Sequence, residues 1–127
     1  MLIELDFESD IPIYKQLKNQ IIEGIATKQV QPGDTLPSVR SLASDIGINL
    51  HTVNKVYGLL KQDEYIQIHR QKGAVINPQG IPEADDTFRS KLEQEMRPLI
   101  AESMCRGLDK HTLMQMCRQY FDDIQGE

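Results

Sequence analysis

The stretch LPSVRSLASDIGINLHTVNKVYGLLKQ, residues 36–62, decides how this chain folds. In its first half Val39, Leu42, Ala43 and Ile46 fall at i, i+3, i+4 and i+7, the spacing that brings side chains to one face of an α-helix. Ser38, just before them, has a hydroxyl suited to capping the free N–H groups of a first turn. Gly47, just after, accepts the left-handed backbone that ends a helix. The second half repeats the pattern: Asn49 is placed to cap, and Val53, Val56, Tyr57 and Leu60 form the next inward stripe. Two short helices joined by Gly47-Ile48, with one stripe each, must cross at the turn to bury both stripes together. The spacing therefore predicts a helix-turn-helix whose second member runs to about Gln62 and turns Leu50, His51, Asn54 and Lys55 outward.

Working upstream, Ile13, Leu17, Ile21, Ile22 and Ile25 predict a helix from about Pro12, set at the first helical position, to Thr27. Gln31-Pro32-Gly33-Asp34 reads as a turn, and Thr35-Leu36-Pro37 is long enough for one short edge strand. Downstream, Tyr65–Ile68 alternates as a half-buried strand, residues 69–73 form a polar hairpin tip, and Ala74-Val75-Ile76 returns, which makes a β wing. The breaker-rich run from Asn77 to Pro82 marks a boundary. Residues 1–77 are expected as one domain, 78–83 as a linker and 84–127 as a helical tail.

In that tail Phe88, Leu92, Met96, Leu99 and Ile100 lie on one stripe of a helix that ends near Gly107, and Pro98 predicts a kink within it. Asp109 can cap a last helix that carries Leu113, Cys117, Tyr120, Phe121 and Ile124. About forty residues are too few to fold alone, and the stripes are too broad for one pair of helices to cover. Dimerisation through Phe88, Leu92, Met96, Leu99, Leu113, Tyr120 and Phe121 is expected. The fold class is mainly α with a small β wing: a winged helix-turn-helix followed by a two-helix dimerisation unit.

Composition narrows the function. The chain has 127 residues, 39% hydrophobic and 26% charged, the make-up of an ordinary globular protein and too short for a large catalytic fold. No run is long and apolar enough for a membrane span, and the start MLIELDFESD lacks the basic and apolar regions of a signal peptide, so a cytoplasmic location is expected. The net charge of -5 argues against a nucleic-acid binder until its distribution is seen: residues 1–80 sum to about -1 and residues 81–127 to about -4. Attraction to phosphate would rest on a few placed cations and helix N-termini, not on a basic field. No paired carboxylate in a recognisable motif, no glycine-rich phosphate loop and no nucleophile with an ordered base is present, so no enzyme and no cofactor are expected. Cys105, His111 and Cys117 stand six apart, which fits no standard zinc pattern, and Cys117 on an apolar stripe reads as a packed thiol.

An ordered string of residues adds to this. Pro12-Ile13-Tyr14, Pro32-Gly33-Asp34, Leu36-Pro37-Ser38-Val39-Arg40, Leu42-Ala43, Gly47-Ile48, Thr52-Val53, Tyr57, Leu60 and Lys72-Gly73 resemble the GntR family of bacterial regulators, and the short tail resembles its YtrA-like subfamily. The resemblance covers roughly residues 10–77. It implies a dimeric winged-helix regulator, a repressor by expectation, that binds a palindromic double-stranded operator and controls a transporter operon. It also implies DNA contacts from Ser38 and Arg40, from Asn49, His51, Thr52, Asn54 and Lys55, and from Arg70, Lys72 and Gly73 at the wing tip. The sequence departs from the family pattern at Asn49-Leu50, where Ser-Arg or Thr-Arg is usual, and at Asn54, where a basic residue is usual. It departs also at Glu64 and Gln71, where glycines are common, and loss of glycine narrows the backbone freedom at both turns. The rival reading is a winged-helix protein-interaction module, which would present an apolar or acidic face where this sequence has Arg40, Lys55, Arg70 and Lys72.

Overall fold

A computed structural model describes residues 2–126, which form two compact units divided between Pro82 and Glu83. The first unit runs α1 (Ile13–Ala26), α2 (Val39–Ile46), α3 (Leu50–Gln62), β1 (Ile66–His69) and β2 (Gly73–Ile76). Pro12 stands one position before α1, with an extended ψ of 145°, and not at its first helical position as the sequence predicts. Its missing N–H is harmless in either place, and its carbonyl accepts from the amides of Lys15 and Gln16. Ahead of it, the chain lies along α1. Gln16 and Gln20, one turn apart, use their amides as substitute strand partners: Gln20 pairs with the backbone of Glu4, and Gln16 with the N–H and C=O of Asp6 at 2.9 Å each. Alternate residues of an extended chain repeat every ~6.7 Å, close to the ~6 Å rise between helix residues four apart, so two amides suffice to hold the segment. Ile3 and Leu5, on either side of Glu4, pack against the core.

That core is the meeting of the stripes. Leu17 and Ile21 of α1, Leu42 and Ala43 of α2, and Val53, Val56, Tyr57 and Leu60 of α3 are buried together with Leu36, Ile66, Ala74 and Ile76. Each fully buried Leu, Ile or Val contributes about 1.5–3 kcal/mol, which is what holds three short helices at fixed angles. The antiparallel hairpin pairs Ile66 with Ile76 and His69 with Gly73. The segment foreseen as an edge strand joins the other side of β2. Thr35 bridges Val75, the Leu36 amide donates to the Ala74 carbonyl at 2.8 Å, and the Ile76 amide donates to the Asp34 carbonyl at 2.8 Å.

The second unit is α4 (Asp86–Cys105) and α5 (Lys110–Gln125), with Pro98 inside α4. Asp85 Oδ1 accepts from the Phe88 amide and Asp109 Oδ1 from the Thr112 amide, both at 2.8 Å, so both helices carry capped starts. That backbone hydrogen bond holds the Asp109 carboxyl below the ordinary aspartate value. No described residue of either helix is buried within the chain. Cys117 is exposed as well, not packed as its place on the stripe led us to expect, because one helix pair has no third layer to cover that face. Among the described residues, no helix is long and apolar enough to cross a membrane.

Candidate nucleic-acid interface

Three elements of the first unit carry the polar residues singled out in the sequence. Ser38 begins α2, with its Oγ accepting from the Ser41 amide at 3.1 Å, so its hydroxyl serves the helix start. Arg40, in the first turn, is exposed and forms no ion pair among the described residues. Gly47 ends the helix at φ 69°, in the left-handed region where a side chain would be strained, and this sharp stop sends the chain into α3.

Asn49 caps α3 through Oδ1, which accepts from the His51 amide at 2.7 Å. Thr52 is half-buried, whereas His51, Asn54 and Lys55 are exposed. His51 and Lys55, four residues apart, share the face opposite Val53, Val56 and Leu60, and Asn54 stands a little over a quarter-turn round from Lys55. Lys55 is not free in solution: its Nζ lies 3.8 Å from the centroid of the Tyr14 ring on α1. Behind the helix, the Tyr57 hydroxyl donates to the Pro37 carbonyl at 2.7 Å and so ties α3 to the chain entering α2. Burial pushes the Tyr57 pKa up to about 12.

At the wing, Arg70, Gln71 and Lys72 form an exposed tip between the paired His69 and Gly73. Gly73, at φ 73°, supplies the left-handed residue that closes the hairpin, so Gln71 in place of a glycine leaves the turn formed. Glu64, in contrast, adopts φ 64° despite its side chain. Asn77, buried at the far end of β2, compensates: its Nδ2 donates to the Glu64 carbonyl at 3.0 Å and its backbone amide to the Tyr65 carbonyl at 3.0 Å. Gln67 Nε2 reaches Asn77 Oδ1 at 3.4 Å, and Gln67 Oε1 meets His69 Nε2 at 3.1 Å, so one polar chain runs from the exit of α3 to the wing tip. Sequence reasoning missed Asn77 and the Tyr14–Lys55 pair. An Asn before Pro78 was the available signal for the first; for the second there was none, since Tyr14 and Lys55 are distant in the chain.

The electrostatics of the face follow from the sequence once the elements are placed. From Leu50 to Gln62 and from Tyr65 to Ile76 there are four Lys or Arg (Lys55, Lys61, Arg70, Lys72) and no carboxylate. An acidic chain thus presents an acid-free helix and wing. Among the described residues no group of three metal-ligating side chains comes together.

Known proteins place this architecture. Residues 13–76 match the family described as bacterial regulatory proteins, gntR family. The HTH-type transcriptional repressor YtrA of Bacillus subtilis (strain 168) is 29% identical over 125 residues, covering 98% of this chain and 96% of the relative. The crystal structure of a transcriptional antiterminator from Listeria monocytogenes EGD-e superposes with a TM-score of 0.93 at 26% identity, covering 100% of this chain and 95% of that one. YtrA from Sulfolobus acidocaldarius, a GntR-family transcription factor, is 39% identical with a TM-score of 0.65, covering 80% and 99%. With its helix-turn-helix, its two-strand wing and its two C-terminal helices, the chain belongs to the gntR family of bacterial regulatory proteins and is a transcription regulator, not an enzyme.

Proposed function

We propose that the chain is a cytoplasmic repressor that binds a palindromic operator as a homodimer, with α3 in the major groove and the wing tip against the flanking backbone. The observation that carries this reading is the acid-free outward surface of α3 and the wing on a chain of net charge -5. Arg40 can offer a bidentate fork to a guanine edge, and Asn54 an amide that matches adenine. His51, Thr52 and Lys55 sit in the first two turns of α3, and Ser38 and Asn49 order the helix N-termini that favour phosphate oxygens. Arg70 and Lys72 meet phosphate or the minor groove, and Gly73 allows close approach. The homodimer rests on Phe88, Leu92, Met96, Leu99, Tyr120 and Phe121, apolar side chains that the chain itself leaves exposed, and on Leu113, which is half-buried. The name of the Bacillus relative supports repression, and the YtrA-like resemblance points to a transporter operon.

The test is selection of duplexes from a random pool by the purified protein, followed by competition between the selected and scrambled duplexes. Arg40→Ala and Asn54→Ala should each lower the preference for the selected site by about 1–3 kcal/mol while leaving the circular dichroism spectrum unchanged. If both variants keep the wild-type preference, these residues are not the readers of sequence.

A further inference from the structure

The Tyr14–Lys55 contact has a chemistry that a surface lysine rarely finds. A cation on an outward helix face ordinarily pairs with a carboxylate or remains mobile in water. Here its partner is an aromatic ring at 3.8 Å, supplied by a half-buried tyrosine in the first turn of α1 that packs against the core. The distinction matters for an anion approaching the same face. A carboxylate partner would cancel the charge and would have to be displaced before phosphate could bind. A ring carries no net charge: it attracts the ammonium through its quadrupole, leaves the full positive charge, and covers one side of the group while the other sides stay open to hydrogen-bond acceptors. The ring also restricts a four-carbon stem that would otherwise lose its rotamer freedom on binding. Because Tyr14 is anchored in the core and Lys55 lies one turn beyond His51 on the outward face of α3, the contact fixes a cation relative to the reading surface.

We propose that Tyr14 is a positioning residue for DNA binding, holding the Lys55 ammonium ready for a phosphate oxygen. The proposal rests on the DNA-binding reading above and adds a residue on α1, a helix to which that reading assigns no role. Tyr14→Leu in the full-length chain should weaken binding to a selected, fluorescein-labelled duplex about threefold to tenfold, the range that ordering one mobile side chain represents. Tyr14→Phe, which keeps the ring, should bind nearly as wild type does.

Two measurements separate positioning from a loss of packing. In a double-mutant cycle, Tyr14→Leu should cost little further affinity once Lys55→Gln is present, because the ring then has no cation to hold. In the free protein, the Lys55 ε-methylene protons should show an upfield ring-current shift in the NMR spectrum, kept in Tyr14→Phe and lost in Tyr14→Leu. The proposal is overturned if no such shift exists in the wild type, if Tyr14→Leu binds as tightly as wild type, or if its cost is the same with and without Lys55. These failures would leave the wider reading intact as long as Arg70→Ala and Lys72→Ala still weaken binding. A wild-type chain that selects no duplex from the pool would overturn both.

Discussion

Tyr57 does two things through one oxygen: it satisfies the Pro37 carbonyl and keeps a phenol neutral inside the core behind α3. Its pKa is raised from 10.0 to about 12 in the folded state, so the neutral form favours folding. That contribution is complete below about pH 10 and is lost as pH rises through about 12; a shift of this size corresponds to about 3 kcal/mol. Urea unfolding should therefore show wild-type stability falling through this alkaline window. Tyr57→Phe should be less stable near neutral pH by about 1–2 kcal/mol, from the unpaired carbonyl, and should fall less steeply above pH 10. Equal alkaline slopes would assign the loss to other groups. Glu64 is the opposite case, a side chain in a left-handed conformation at φ 64° that glycine would adopt without strain. Since Asn77 grips its backbone carbonyl and not its side chain, Glu64→Gly should keep the joint and raise the unfolding free energy by about 0.5–1 kcal/mol, measured by the same denaturation.

At the scale of elements, both ends of α2 and the start of α3 fall on residues whose local chemistry is readable in a sequence. Ser38, Gly47 and Asn49 cap as their types dictate, and the stripes they bracket are the buried ones. Element edges are less legible, and Pro12 and Tyr65 fall one position outside the elements expected for them. The wing was legible as a hairpin because alternation and a glycine-closed polar tip need no distant partner. Its attachment through Asn77 was not, because the carbonyl that Asn77 satisfies is thirteen residues away. In DNA binding the wing should act as a phosphate clamp. Arg70→Ala and Lys72→Ala should weaken operator and random duplex by similar factors, and each should reduce the slope of log affinity against log salt by about 0.9 in anisotropy titrations. A slope that stays the same in both variants would remove the wing tip from the contact surface.

For the molecule as a whole, the two units differ in how they treat their apolar stripes. The first buries its stripes within itself. The second leaves Phe88, Leu92, Met96, Leu99, Tyr120 and Phe121 exposed, with Leu99, Tyr120 and Phe121 at 60% or more. Apolar surface of that extent on one helix pair is costly in water and is removed if a second copy packs against it. Full-length protein should sediment as a dimer at micromolar concentration, whereas a chain ending at Pro82 should sediment as a folded monomer with much reduced operator affinity. A monomeric full-length chain would mean that some other partner covers these helices.

What the sequence by itself determined was everything governed by neighbours along the chain: the apolar periods at 13–25, 39–46 and 53–60, the capping residues, the hairpin, and an acid-free helix and wing within an acidic protein. Tertiary structure alone decided which distant groups meet. It set Lys55 over Tyr14, the Tyr57 hydroxyl on the Pro37 carbonyl, and the Asn77 amide under a strained Glu64. It also left Cys117 open where its stripe implied burial. The physical reason is common to all of them: a local pattern fixes the face on which a side chain lies, but the atom it meets depends on how the elements pack, and no spacing in the sequence encodes that.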